Sequence, residues 1–313
     1  MAYTTQDILN SVKRNNTIFS TDFRFNDSDI LEMIDEEIES TIVPMILRLH
    51  SDRLIFNEPL EIEANKNKYP VPYRAIGSNL KTLWYQDKNE NPKDKKELEP
   101  LEYSNACKIL ESGTPNGYCF IGDDIVVVPK PSTTNGHLIF SYFIRHSKLV
   151  SSAQVAIVSS MNFETGEVTL ATNANKNFTG RYLYDFIAAN QRCKPHILSI
   201  DSPVIRIDAN KMFFNTELLP RELRPGDRVA LAGQTDVLLL PDECYKYLVK
   251  VAGIKILEAQ KDLQALEAFK GDLDRARNIM EGVLSPRVTG HPRPYVNGNR
   301  LLSQSKIKRA INI

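Results

Sequence analysis

The sequence lacks most of the features that announce a particular chemistry. Its four cysteines, Cys107, Cys119, Cys193 and Cys244, never form a C-x-x-C pair, so they spell neither a metal site nor a disulfide framework. They read as free thiols of a reducing, intracellular compartment. There is no G-x-x-x-x-G-K-[ST], no G-x-G-x-x-G, no H-E-x-x-H and no G-x-S-x-G. The five histidines (His50, His137, His146, His196, His291) stand apart from one another and from cysteine. No run approaches the roughly 18 consecutive apolar residues of a membrane span. The opening MAYTTQDILNSVKRNN has no apolar stretch of the kind that directs secretion. A surplus of charge is missing as well: 39 Lys plus Arg balance 39 Asp plus Glu, which argues against a surface coated for nucleic acid. What remains is an ordinary globular composition, 42% hydrophobic and 25% charged, over 313 residues. That length suits about two domains, or one with a large insert.

The neutral total conceals two opposed segments. Residues 26–40, NDSDILEMIDEEIES, hold seven acids and no base; residues 285–313 hold six bases and no acid. The acidic run reads either as a solvated helix face or as a surface complementary to a basic partner, another copy of the chain included. Asp35, Glu36 and Glu39 are the residues on which such an intersubunit face would rest.

Periodicity divides the chain into four parts. In residues 1–52, a short helix is expected over 5–14, with Ile8, Leu9 and Val12 on one face. A second is expected from Asn26-Asp27-Ser28 to about His50, carried by Ile30, Ile34, Ile38, Ile42, Met45, Ile46 and Leu49 and kinked by Pro44. Residues 53–240 change texture to ten short apolar runs punctuated by turn residues, from LIFNEPLEIE to DRVALAGQTDVLLLP. This is the pattern of a β-rich insert, a sandwich or barrel. Met161 to Gly166 reads as a hairpin loop, and Pro225-Gly226-Asp227 as a turn launching a strand. Short helices are expected near 104–112 and 180–191, and a mobile polar loop at 86–100. From Pro241 to about 284 no proline appears, and Leu248, Ala252, Ile256, Ala259, Leu263, Leu266, Leu273 and Met280 trace one helical face. About 40 residues would make a rod of ~60 Å, which either breaks near Gly271 or outreaches a compact domain. It would pack with the N-terminal helices. The last part, 285–313, has Pro286, Pro292 and Pro294 and too few apolar residues for a core, so it reads as an extended basic arm that orders on a partner. The fold class is α+β.

Candidate chemistry is thin. Asp123-Asp124 after Gly122 reads as a turn, His137 and His146 as ordinary histidines flanking a strand. Tyr142, Phe143 and Arg145, with Arg181, Tyr182 and Tyr184, interleave aromatics and bases as single-strand readers do, but strand alternation into a core explains them better. The chain reads as a non-enzyme with no cofactor and no metal. A β-rich enzyme would need a carboxylate pair, for which Asp123 and Asp124 are the sole candidates.

The order of parts, through the helix DILEMIDEEIESTIVPMILRLH (29–50), the helical stretch 241–282 and the arm SPRVTGHPRPYVNGN (285–299), resembles the head-to-tail connector (adaptor) proteins of tailed bacteriophages. The β insert is larger than in the small all-helical adaptors of that group. The resemblance implies a virion structural protein at the head–tail junction, assembled in the host cytoplasm. It implies a homo-oligomeric ring of about twelve copies, bound to the portal and to tail or neck proteins. DNA would pass through the channel without sequence-specific contact, and no membrane is involved. The arm would grip the portal or a neighbouring subunit through Arg287, Val288, Pro292, Arg293, Tyr295, Arg300, Lys306, Lys308 and Arg309. Another tail, neck or baseplate component is the nearest alternative.

Overall fold

A computed structural model describes residues 3–15, 25–88, 95–106, 111–171, 182–190, 196–261 and 263–285. Both ends of this stretch build one helical module, and the middle builds two β units. The mixed α+β class follows from that arrangement.

Helix α1 (Thr5–Asn15) begins where Thr4 and Asp7 cap each other, with Asp7 Oδ2 accepting from the Thr4 amide at 2.9 Å. Helix α2 (Asp27–Glu37) opens on a reciprocal capping box. The Asn26 side chain accepts from the Asp29 amide at 2.9 Å while the Asp29 carboxylate accepts from the Asn26 amide. One turn before Pro44 the helix widens to π geometry over Ile38–Ile42, then resumes as α3 (Val43–His50). The missing proline N–H and the clash of its ring one turn back are absorbed by that wide turn. The apolar stripe therefore stays on one side across the irregularity: Ile30, Ile34, Ile38, Ile42 and Ile46 are all buried.

The expected single C-terminal helix is two. Helix α5 (Cys244–Gln260) stops at Lys261, which is left-handed with φ +60°, and α6 (Leu263–Leu284) folds back along it. Lys250 meets Asp272 at 3.0 Å across the pair. The break falls at Lys261, not Gly271. Leu257, Leu266 and their neighbours gain a partner in the hairpin that a straight rod would have left in water. The module's core joins Ile8, Leu9 and Val12 of α1, the α2–α3 stripe, Leu248, Ala252 and Ile256 of α5, and Met280 and Leu284 of α6.

The first β unit contains a four-stranded antiparallel sheet. Gly136–Ile144 lies between Ile55–Glu61 and Ala75–Asp87, and Lys96–Glu97 pairs on Ala75–Asp87. A second sheet centres on the hairpin of Gly117–Ile121 and Asp124–Val128. Part of the stretch expected as a mobile loop is thus paired: Leu98 is buried and its amide donates to Leu83 O. The helix expected at 104–112 is seen as a single turn, α4 (Tyr103–Ala106), and residues 107–110 lie outside the described residues.

The second unit is a closed six-stranded barrel in the order Ala156–Asn162, Glu167–Leu170, Lys211–Phe214, Ile197–Asp208, Leu183–Ile187, Arg228–Leu231. The helix expected at 180–191 is instead the barrel strand Leu183–Ile187. Leu183, Phe186 and Ile187 mimic helical spacing, but the period-two pair Tyr184 and Phe186 fills the barrel interior, where Phe186 packs edge-on against Phe214 at 4.9 Å. Gly166 closes the 162–166 turn with φ +68°, and a Cβ there would stand 2.1 Å from Phe214 O. Gly226, φ +92°, makes the turn before Arg228–Leu231.

Candidate functional site

Two regions of the fold stand out: the outer surface of the helical module and the buried seam between sheet and barrel. On the module, α6 is two-sided. Met280 and Leu284 face inward and are buried, whereas Ile279 (61% exposed) and Val283 (51%) face water. Gly271 and Gly282 occupy the same helix, and a Cβ added at either would meet nothing within 4 Å. Two glycines in an exposed helix each cost about 1 kcal/mol against alanine. The helix then hands the chain directly to the basic arm. Arg287, Val288, Pro292, Arg293, Tyr295, Arg300, Lys306, Lys308 and Arg309 lie outside the described residues.

The three acids expected to form an intersubunit face are not equivalent. Asp35 points inward: its two oxygens accept from the Leu149 amide at 3.0 Å, and Oδ1 lies 3.1 Å from His146 Nε2. It ties the module to the β units and is no part of a free surface. Glu36 bonds Lys255 of α5 at 2.8 Å, and that ammonium holds its carboxyl below the usual range. Glu39 is exposed. Burial had no sequence signal here, because Asp35 sits in a run of acids that all look alike.

The seam between sheet and barrel carries a cluster that sequence reasoning missed. Arg74, 4% exposed, precedes the strand Ala75–Asp87 and reaches to the outer side of the barrel strand Leu183–Ile187. Its Nη1 donates to Asp185 Oδ2 at 2.8 Å, and its Nη2 donates to Ser147 Oγ at 2.7 Å. Asp185, 1% exposed, also accepts from the amides of Asp201 and Gly233, each at 2.9 Å. Tyr73 Oη donates to Asp201 Oδ1 at 2.6 Å, and Tyr142 Oη donates to Glu58 Oε2 at 2.7 Å. Tyr73 as a residue is 64% exposed, but local desolvation of its phenol and the Asp201 carboxylate beside it push that phenol up to about 12, while burial raises the Tyr142 phenol further. Burial also raises the carboxyls of Glu58 and Asp201. The alternation YDF at 184–186 with a lone acid on the outward position was the available signal.

The remaining candidates are structural. Cys119 and Cys244 are buried and in no disulfide among the described residues, with Cys244 pushed up to about 12 by burial; Cys107 and Cys193 lie outside the described residues. Asp124 is bound to Lys68 at 2.8 Å, next to a turn at Gly122 with φ +62°. Tyr142 and Tyr184 are core residues, Tyr182 is 53% exposed, and Arg181 lies outside the described residues. Among the described residues no group of three or more His, Cys, Asp or Glu could hold a metal ion. No helix of the described residues is long and apolar enough to cross a membrane. Set against known proteins, the chain matches no family model and no curated protein.

Proposed function

We propose that the chain is a non-enzymatic structural subunit of a tailed-phage virion, a head-to-tail connector that forms a ring of about twelve copies beneath the portal. The observation that carries this reading is the two-sidedness of α6. One side closes the core through Met280 and Leu284, and the other presents Ile279 and Val283 to water, immediately before an arm with six bases and no acid. A helix that exposes β-branched apolar residues and two glycines fits close contact with a neighbouring subunit. An arm of that composition binds by ordering on an acidic surface of portal or of a neighbour, where charge complementarity fixes register. Arg287, Arg293, Arg300, Lys306, Lys308 and Arg309 would supply the charge, and Val288, Pro292 and Tyr295 the apolar contacts. The ring would sit at the head–tail junction, surround passing DNA without reading its sequence, and need no cofactor.

The test compares mass and particle shape of the full chain with a chain ending at Leu284, each alone and mixed with portal rings. A ring, formed alone or only on portal, with association lost when residues 285–313 are removed, supports the reading. A 35.5 kDa monomer indifferent to portal and to the arm overturns it.

A further inference from the structure

The second sheet ends in an exposed tip. Its hairpin turns at Gly122-Asp123, and alternation along Gly117–Ile121 puts Phe120 (44% exposed) on one face and Ile121 (39%) on the other. The strand Glu99–Pro100 runs parallel beside Gly117–Ile121, and the Leu101 amide donates to Tyr118 O at 2.7 Å. The chain continuing through Glu102 and Tyr103 (60% exposed) therefore comes up beside that tip. Burial, and then the charge of Glu97, raise the Tyr118 phenol, whose ring meets Phe120 edge-on at 5.8 Å. Three large apolar side chains and four exposed carboxylates, those of Glu97, Glu99, Glu102 and Asp123, thus share one rim. None of the four carboxylates is ion-paired among the described residues. Lys95 and Lys96 stand at the margin, so four negative charges face two positive ones. Two other exposed apolar sites have a cation beside them instead: Arg206 follows Ile205, and Arg275 lies one turn before Ile279.

We propose that this rim is the seat of the basic C-terminal arm, residues 286–313, of a neighbouring copy of the chain. The arm brings six bases, no acid, and apolar groups such as Val288 and Tyr295. Arginine and lysine gain twice on such a rim, through charge-assisted hydrogen bonds to its carboxylates and through the ring faces of Tyr103 and Phe120. Apolar groups on both faces of the tip, with acids along the edge between them, suit an extended strap better than a globular surface. Beyond Leu284 the chain has 29 residues, an extended reach of about 95 Å, long enough to leave one copy and lie on the next. The acidic helix α2 is the poorer seat. Its Asp35 is turned inward, Glu36 is held by Lys255, and no large apolar side chain is exposed on it. The proposal rests on the connector reading in one respect, that the arm comes from a neighbour; the chemistry of the rim does not depend on it.

The experiment is carbodiimide cross-linking of the full chain, which joins a lysine amine to a carboxylate in direct contact, on an equal mixture of unlabelled and heavy-nitrogen protein. Cross-linked peptides carrying one label from each chain mark contacts between copies. The expected products join Lys306 or Lys308 of one copy to Glu97, Glu99, Glu102 or Asp123 of another, and their yield falls as salt is raised. The double variant Glu99→Lys, Glu102→Lys changes only exposed side chains, so it folds as the parent does. It should lower that yield about tenfold at sub-saturating protein, because each attraction becomes a repulsion. Glu164→Lys with Glu217→Lys, exposed acids of the barrel, leaves the yield unchanged. Rim cross-links between copies that form no ring sink the connector reading and leave the seat standing; a ring without them does the reverse. Cross-links confined to one copy, cross-links made instead to Glu32 and Glu39 of α2, none at all, or a yield that survives the rim variant overturns the seat.

Discussion

Arg74 and Asp185 belong to a class of pairs whose worth is visible only when one partner is removed. Arg74→Met leaves the Asp185 carboxylate buried beside two amide donors and no cation, and is expected to cost about 3–5 kcal/mol, read from denaturant unfolding. Asp35→Ala should cost less, about 1–3 kcal/mol, since it strands the buried Leu149 amide but no charge. His196 makes stability depend on pH. It is 5% exposed, and burial lowers its pKa. The unfolded chain therefore takes up a proton near pH 6.5 that the folded chain refuses, and stability from this group is lost as pH falls below that value. His196 has φ +72°, so His196→Asn is the conformationally tolerant substitution, and it should flatten this part of the pH–stability curve.

At the level of elements, the α5–α6 corner depends on one left-handed residue. Lys261→Val should destabilise by about 1–2 kcal/mol because a β-branched side chain resists φ +60°, while Lys261→Gly leaves the corner intact. Gly271→Ala and Gly282→Ala are each expected to raise the thermal stability of the free chain by about 1 kcal/mol, as both positions are open to water. These elements also show what was legible in the sequence. Helices α1 to α3 were readable because a strong apolar period, Ile30 through Ile46, survives even the π turn. The hairpin at 162–166 was readable because Gly166 fulfils a backbone need that few residues can. The corner at Lys261 was not: no glycine or proline marks it, and the stripe runs on through it because both helices bury the same side. The strand Leu183–Ile187 was misread because five residues are too few to separate periods of 2 and 3.6.

Across the whole molecule, the helical module draws on both ends of the described chain. The Thr5 amide donates to Asp236 O at 2.8 Å, Leu238 N donates to Tyr3 O at 2.8 Å, and α6 closes the core with Met280 and Leu284. Met280→Ala should therefore cost about 2–5 kcal/mol although it lies near the end of α6, read as a lowered unfolding midpoint by calorimetry. The seam was illegible at sequence level for the same reason that the module's closure was only partly legible. Arg74 and Asp185 are 111 positions apart, and nothing local in either records the other. The same long-range closure has a consequence for synthesis. Helices α1 to α3 leave the ribosome with their isoleucine stripe complete, but α5, which covers it, follows only after roughly 190 more residues. At about 5–20 residues per second, that is some ten to forty seconds of nascent chain with a greasy helix uncovered. A holding chaperone, or the two β units folding first as a shield, has to bridge that interval.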